Sequence, residues 1–198
     1  MADKNIIIFA SGAGTNAQEI INYFKKDKQI KVSLIVCNNP KAGVLKIAAN
    51  EQIPVLLIQR DRFKETGYLS EIEKYHPKLI VLAGFLWMIP QILINHFPEK
   101  IINIHPALLP AYGGKGMYGS AVHKAVIDSK ENESGITIHY VDDKYDHGAT
   151  IFQVKCALEE NETPETLAQK IHKLEHKYYP IIIDKVLNEE PGKPISIK

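Results

Sequence analysis

The sequence predicts an α/β protein built on a mostly parallel sheet, and three observations support this prediction. In the first half of the chain, apolar runs rich in β-branched residues alternate with segments in which apolar residues recur with helical spacing. These runs do not alternate with polar residues, which is typical of strands covered on both faces. In the second half, two segments read as an antiparallel hairpin. We therefore expect helices on both faces of the sheet, joined by right-handed crossovers.

The first five strands are predicted where apolar residues are most continuous, at 5–10, 31–37, 54–58, 79–83 and 101–104. Helices are predicted between them where apolar residues recur with helical spacing, at 17–25, 44–51, 68–75 and 90–97. Strands that alternate with helices in this way are typical of a Rossmann-like parallel sheet.

The pattern changes after the fifth strand. A glycine-rich loop at 108–119 precedes a short helix at 123–128, and strands are expected at 135–141 and 150–158. The turn at 142–148 joins these two strands into an antiparallel hairpin at the edge of the sheet. Thr163 is the expected N-cap of a final helix from Pro164 to Asn188. The tail after Pro191 is expected to be exposed, and residues 1–198 to form a single domain.

Charge and cysteine content exclude several classes of protein. The 24 basic and 23 acidic side chains give a net charge of +1, which argues against a nucleic-acid-binding surface. No apolar run approaches the length of a membrane span, and the N-terminal segment is too short for a signal peptide. Cys37 and Cys156 are expected to be buried free thiols, so we expect a reducing cytoplasm.

A glycine loop follows the first predicted strand, with Gly12, Gly14, Thr15 and Asn16 leading into the first helix. Backbone N–H groups at such a place can bind an anion, although a merely tight turn is the alternative. No acidic residue follows the second strand, and the loop lacks the lysine of a nucleotide P-loop. The sequence therefore favours a phosphate group as the ligand and argues against a nicotinamide cofactor.

Two polar residues, Asn103 and His105, end the fifth predicted strand, where ligands of open α/β sheets bind. Strand alternation places both side chains on one face. An amide and an imidazole that converge can stabilise the oxyanion of an acyl transfer. The alternative is structural, because a single histidine at a strand end is commonly a hydrogen-bonded structural group.

Three further features have both a chemical and a structural interpretation. Asp146 lies in the hairpin turn, where an aspartate commonly accepts backbone hydrogen bonds. Glu175 and His176 lie in the last helix, whose solvated face is the simpler explanation. His172 and His176 are four residues apart but lack the glutamate of a zinc protease, so we expect no metal site.

Taken together, these segments resemble the folate-dependent formyltransferases over essentially the whole chain. The resemblance rests on the glycine loop, Leu-Ala-Gly-Phe at 82–85, Asn-Ile-His-Pro-x-Leu-Leu-Pro at 103–110 and Asp-x-Gly at 146–148. The glycine loop together with Glu-His-x-x-Tyr-Pro at 175–180 makes the resemblance more specific. Within the formyltransferases, it points to the branch that formylates glycinamide ribonucleotide.

The resemblance implies transfer of the formyl group of 10-formyltetrahydrofolate to the amine of glycinamide ribonucleotide, in purine (IMP) biosynthesis. It implies that Asn103, His105 and Asp146 are catalytic. It further implies a phosphate and ribose site made by Gly12, Gly14, Thr15, Asn16 and Glu175. The implied folate site comprises Leu86, Trp87, Met88, Ile89, Val141, Asp142 and Asp146.

The chain departs from the family pattern at three places. Trp87 replaces an arginine found in many relatives, which favours an aromatic wall over a polar role. His147 replaces the first glycine of an Asp-Gly-Gly turn. Residues 111–119 replace a shorter loop, and this segment either closes over substrate or is only a different surface turn.

Other functions remain as alternatives to this one. A formyltransferase acting on initiator tRNA would carry an added RNA-binding domain, and a formyltetrahydrofolate deformylase an added regulatory domain. We expect neither in 198 residues. A nucleotide-binding module without catalysis is disfavoured by the presence of Asn103, His105 and Asp146 together. The sequence predicts no oligomeric state.

Overall fold

The computed structural model describes residues 4–188, which belong to two compact units. The first unit extends to Ile102, and the second begins at Asn103. The boundary falls inside a strand that carries predicted site residues. A single domain over residues 1–198 stays a prediction.

The first unit contains parallel strands in the order β3-β2-β1-β4. Its elements are β1 (Lys4–Ala10), α1 (Thr15–Phe24), β2 (Ile30–Cys37), α2 (Val44–Asn50), β3 (Val55–Leu57), α3 (Arg60–Thr66), α4 (Leu69–Glu73), β4 (Pro77–Leu82) and α5 (Gln91–His96). The Ile80 N–H donates to the Lys100 carbonyl over 2.8 Å, which aligns β4 with the residue that precedes β5. Both α1 and α2 pack against β2.

The second unit contains the strands in the order β5-β6-β7. Its elements are β5 (Ile101–His105, which begins in the first unit), α6 (Ser120–Asp128), β6 (Glu133–Tyr140), β7 (Thr150–Ala157) and α7 (Pro164–Asn188). Strands β6 and β7 are antiparallel, with Ile136 opposite Val154. Helix α7 packs against both of these strands, and α6 packs against α7.

The predicted fold class is confirmed: the strands are mostly parallel, and the last two form the expected antiparallel hairpin. Residues 6–10 of β1 are fully buried, as their non-alternating apolar pattern predicts. Thr163 is the N-cap of α7, because its Oγ1 accepts the N–H of Thr166 over 3.2 Å. The predicted exposure of the tail after Pro191 concerns residues outside the described range.

Some sequence predictions were wrong in detail. Helix α3 was not predicted, because Phe63 is the only apolar residue in Arg60–Thr66 and gives no periodicity. Strand β3 has only three residues. Cys37 is buried as expected, whereas Cys156 is half-buried, because alternate residues of β7 are more exposed.

Candidate active site

The second unit brings Asn103, His105 and Asp146 together. Asn103 and His105 lie two residues apart on β5, and Asp146 lies in the turn between β6 and β7. The Asn103 Nδ2 donates to Asp146 Oδ1 over 3.4 Å. The other carboxylate oxygen of Asp146, Oδ2, lies 3.5 Å from the Nδ1 of His105. His105 is 3% exposed and Asp146 10%, so this amide, imidazole and carboxylate meet away from bulk water.

Backbone geometry directs Asp146 toward β5. The residue has a left-handed φ of 54°. Two positions later the chain must be glycine, because a Cβ at Gly148 would lie 1.9 Å from the Tyr140 carbonyl oxygen. The N–H of Gly114 donates to Asp146 Oδ2 over 2.9 Å. The carboxylate is therefore held by a tight turn on one side and by an N–H donor on the other.

The ring of His105 is held at Nε2, and this contact decides what Nδ1 can do. Its Nε2–H donates to the Tyr112 carbonyl over 2.7 Å, and the neutral ring then has no proton on Nδ1, the nitrogen that faces Asp146. Burial lowers the pKa of His105, while the charge of Asp146 and the Tyr112 carbonyl act in the opposite direction. With Nε2 held in this way, Nδ1 can donate a hydrogen bond only when the imidazole is charged.

His139 on β6 completes the cluster, and the sequence analysis missed it. Its Nδ1–H donates to the Tyr140 carbonyl over 2.8 Å, and its Nε2 lies 3.1 Å from the Asn103 Nδ2. Burial lowers the pKa of His139, which favours the neutral ring that can accept this hydrogen bond. The available signal was a histidine in the predicted strand 135–141, which leads into the turn that carries Asp146.

Thr137 on β6 holds the chain that follows β5. This residue is fully buried, and its Oγ1 donates to the Ala107 carbonyl over 2.7 Å. The same oxygen accepts the Leu109 N–H over 3.0 Å. These bonds fix the two to four residues after His105 against the strand that carries His139.

An open pocket of about 290 Å³ lies beside Asp146, within the second unit. Its walls come from the loop after β5 and from the β6–β7 turn up to the start of β7: Leu109, Pro110, Gly113, Gly114, Tyr145, Asp146, His147, Gly148 and Thr150.

Asp142 and His147 form a bridge across the base of the Asp146 turn. The His147 Nδ1 lies 2.7 Å from Asp142 Oδ2, and the Lys144 N–H donates to Asp142 Oδ1 over 2.9 Å. Burial raises the pKa of Asp142, but these two hydrogen bonds outweigh it and hold that pKa below its ordinary value. The side chain of His147 therefore links the two ends of the turn.

The glycine loop belongs to the first unit. Gly14 precedes α1 with a φ of 84°, and a Cβ there would lie 2.8 Å from the Cβ of Val44. Gly12 and Thr15 are exposed. The Leu86 N–H donates to Ser11 Oγ over 3.0 Å, so the start of the loop lies beside the predicted folate segment 86–89.

That segment presents both apolar and aromatic surface. Leu86 and Met88 are exposed, at 48% and 45%, while Ile89 is buried. The Trp87 ring lies 6.0 Å from the ring of Phe63, and Arg60 stands 5.9 Å above it. The Trp87 ring thus packs on groups of the protein itself, and its role as an aromatic wall of the folate site stays a prediction.

Glu175 is only 6% exposed, so the alternative of a solvated helix face is wrong for this residue. Burial, together with the charge of Glu175, raises the pKa of Tyr179 well above its ordinary value.

Among residues 4–188, no group of three His, Cys, Asp or Glu side chains is arranged to hold a metal ion. In the same range, no helix is long and apolar enough to cross a membrane.

Comparisons with known proteins agree on one family. A family model described as formyl transferase matches residues 4–183. The chloroplastic phosphoribosylglycinamide formyltransferase of Arabidopsis thaliana is 38% identical, over 97% of this chain and 70% of that protein. The phosphoribosylglycinamide formyltransferase of Bacillus subtilis is 36% identical, over 93% of this chain and 95% of that protein.

Solved structures give the same result. The phosphoribosylglycinamide formyltransferase from Bacillus halodurans superposes with a TM-score of 0.85 at 31% identity, over 98% of this chain and all of that one. The one from Coxiella burnetii, in complex with CHES, has a TM-score of 0.84 at 35% identity, over 94% of this chain and 88% of that one.

Proposed function

The chain belongs to the formyl transferase family, and we infer that it transfers the formyl group of 10-formyltetrahydrofolate to the amine of glycinamide ribonucleotide. This reaction is a step of purine (IMP) biosynthesis, and 10-formyltetrahydrofolate is its co-substrate. The observation that carries the inference is the convergence of an amide, an imidazole and a carboxylate in Asn103, His105 and Asp146. In the transfer of an acyl group to an amine, such groups can stabilise the oxyanion and carry the proton.

The reaction exchanges one C–N bond for another. The amine nitrogen attacks the formyl carbon, and the carbonyl electrons move to oxygen to give a tetrahedral oxyanion. When the oxyanion collapses, the bond from that carbon to N10 of the folate breaks. The amine loses one proton and N10 gains one, so the products are the formylated amine and tetrahydrofolate.

We propose that Asn103 and His105 stabilise the oxyanion. One Asn103 N–H is held by His139, while the other makes only a 3.4 Å hydrogen bond to Asp146 and is therefore the one available to substrate. His105 donates from Nδ1 when it is charged, because its Nε2–H is already held by Tyr112. Two donors that are fixed in advance cost little reorganisation when negative charge develops.

We propose that Asp146 carries the proton. Its carboxylate can accept a proton from the attacking amine, directly or through one water molecule, and return it to N10. The same negative charge favours the imidazolium of His105. One carboxylate therefore serves both the nucleophile and the oxyanion donor.

We propose that the glycine loop of Gly12, Gly14, Thr15 and Asn16 binds the substrate phosphate. Helix α1 has no side-chain cap and no acidic residue in its first turn, so its N-terminal N–H groups suit an anion. Glu175 is proposed to bind the ribose. Segment 86–89, with Val141 and Asp142, is proposed to bind folate, and the exposed apolar side chains in 86–89 support this role.

The direct test mixes the purified protein with glycinamide ribonucleotide and 10-formyltetrahydrofolate and follows folate absorbance together with the formylated product. We expect equal amounts of the two products. Folate deformylation at the same rate without the ribonucleotide would instead identify a hydrolase and overturn the proposal. Chelation followed by dialysis should leave the activity unchanged.

We also propose a cytoplasmic location. Both cysteines are free thiols, which a reducing compartment maintains. Fractionation of cells that express the full chain tests this location. Recovery in an organelle fraction, the location named for the Arabidopsis relative, would overturn it.

A further inference from the structure

Segment 112–114 contacts both ionisable catalytic groups, although it lies in the loop that departs from the family pattern. Its Tyr112 carbonyl accepts the His105 Nε2–H over 2.7 Å. Its Gly114 N–H donates to Asp146 Oδ2 over 2.9 Å. The carbonyl acceptor favours the charged imidazole of His105, and the N–H donor holds the Asp146 carboxylate beside it. The backbone of this segment is therefore part of the site.

Little in the local sequence holds this segment in place. Four glycines occupy positions between 113 and 119, and such a stretch is flexible unless it is tied down. Tyr112 itself has a left-handed φ of 57°, which a residue with a Cβ adopts at a cost. Something outside the segment must therefore stabilise this conformation.

The side chain of Tyr112 provides this stabilising contact. Its hydroxyl donates to Glu131 Oε1 over 2.6 Å, just beyond the end of α6. Hydrogen bonding to Glu131 raises the pKa of the Tyr112 phenol, and a hydrogen bond from Ser129 acts in the opposite direction. The aromatic ring thus links the catalytic loop to the end of a regular helix.

We propose that Tyr112 is a positioning residue, whose hydroxyl bond to Glu131 holds segment 112–114 against His105 and Asp146. The inference rests on the proposed formyl transfer for its kinetic consequences. When the bond to Glu131 is removed, the Tyr112 carbonyl leaves His105 for part of the time, and the imidazolium loses one of the two groups that stabilise it. The other titratable groups that act on His105 in the second unit are Asp146, His139 and His123.

The test compares Tyr112→Phe with Tyr118→Phe, which removes the hydroxyl of an exposed tyrosine from the same loop. Tyr112→Phe should lower kcat about fivefold, the effect of one ordinary hydrogen bond, with both KM values nearly unchanged. The alkaline limb of the kcat profile should move to lower pH, because His105 loses its proton earlier. Glu131→Gln keeps an acceptor oxygen and should show a smaller change, and Tyr118→Phe should show none.

A second measurement, NMR titration of the histidine rings without substrate, separates the two hypotheses. A lower His105 midpoint in Tyr112→Phe than in the unmodified chain supports the positioning role whether or not formyl transfer is found. An unchanged midpoint with an unchanged pH limb overturns the positioning role, even if formyl transfer is confirmed. A lower melting temperature with an unmoved midpoint assigns Tyr112 a purely structural role and overturns the proposal as well.

Discussion

Replacing Asp146 with asparagine should reduce turnover strongly while leaving the fold intact. The new carboxamide oxygen can still accept the Gly114 N–H that Asp146 Oδ2 now accepts over 2.9 Å. What disappears is the negative charge 3.5 Å from the Nδ1 of His105. The substitution therefore tests charge and proton transfer separately from shape.

The structure sets the size of the effect. When His105 is charged, its attraction to Asp146 across 3.5 Å is about 5 kcal/mol at an effective dielectric constant of about 20. Desolvation of the pair offsets part of this energy. Loss of the base that accepts the amine proton typically costs about 10²–10⁴-fold. We therefore expect kcat to fall by about 10²–10³-fold in Asp146→Asn.

The assay is steady-state formyl transfer, with KM measured for each substrate and melting followed by circular dichroism. Asp128→Asn is the matched control, because Asp128 is exposed and pairs only with Lys124 on its own helix in the described part of the chain. KM values should change little, and both variants should melt as the unmodified chain does. A folded Asp146→Asn protein with kcat within tenfold of the unmodified value would refute the proposed role.

Three further predictions concern the surroundings of the proposed catalytic groups. His139→Leu removes the acceptor that orients the Asn103 amide and should lower kcat about tenfold, whereas His139→Gln should restore part of it; equal rates in the two variants would contradict this. Gly12→Ala should raise the KM for the ribonucleotide without changing the melting temperature, since no atom lies within 4 Å of the added methyl. Gly14→Ala should lower the melting temperature, because its φ is 84° and Val44 blocks the Cβ; the reverse pattern would overturn this view of the loop. Finally, burial lowers the pKa values of His105, His123 and His139 in the folded chain. At a pH below about 6.5, the unfolded chain therefore binds more protons than the folded chain does. The free energy of unfolding should therefore fall as pH drops below about 6.5, by at most about 1.4 kcal/mol per pH unit for each histidine, and denaturant melts showing no such fall would contradict the burial argument.

Much of the fold follows from local sequence. Strands β1 and β4 are predictable because their apolar runs are nearly unbroken. A strand that is covered on both faces has no solvent-exposed face, so its sequence does not alternate with polar residues. The hairpin of β6 and β7 was predictable from its turn, and α7 from its cap at Thr163. Helix α3 was not, since one buried Phe63 among polar residues carries no period.

The candidate site was predictable in its parts. Asn103 and His105 share a face because strand residues two apart must do so. Asp146 could be named only through the resemblance to a family, since an aspartate in a turn is ordinary. Nothing local distinguished a buried Glu175 from one on a solvated helix face, because its burial depends on what packs against α7.

By itself, the sequence determined the fold class, the order of most elements and the placement of Asn103 and His105 on one face of a strand end. Only the tertiary structure decided which nitrogen of His105 faces Asp146, because that depends on a carbonyl seven residues away, at Tyr112. It also decided that His139 orients Asn103, a contact between residues 36 positions apart. Periodicity and residue type report local backbone and burial, whereas protonation and hydrogen-bond direction depend on partners that only folding brings within reach.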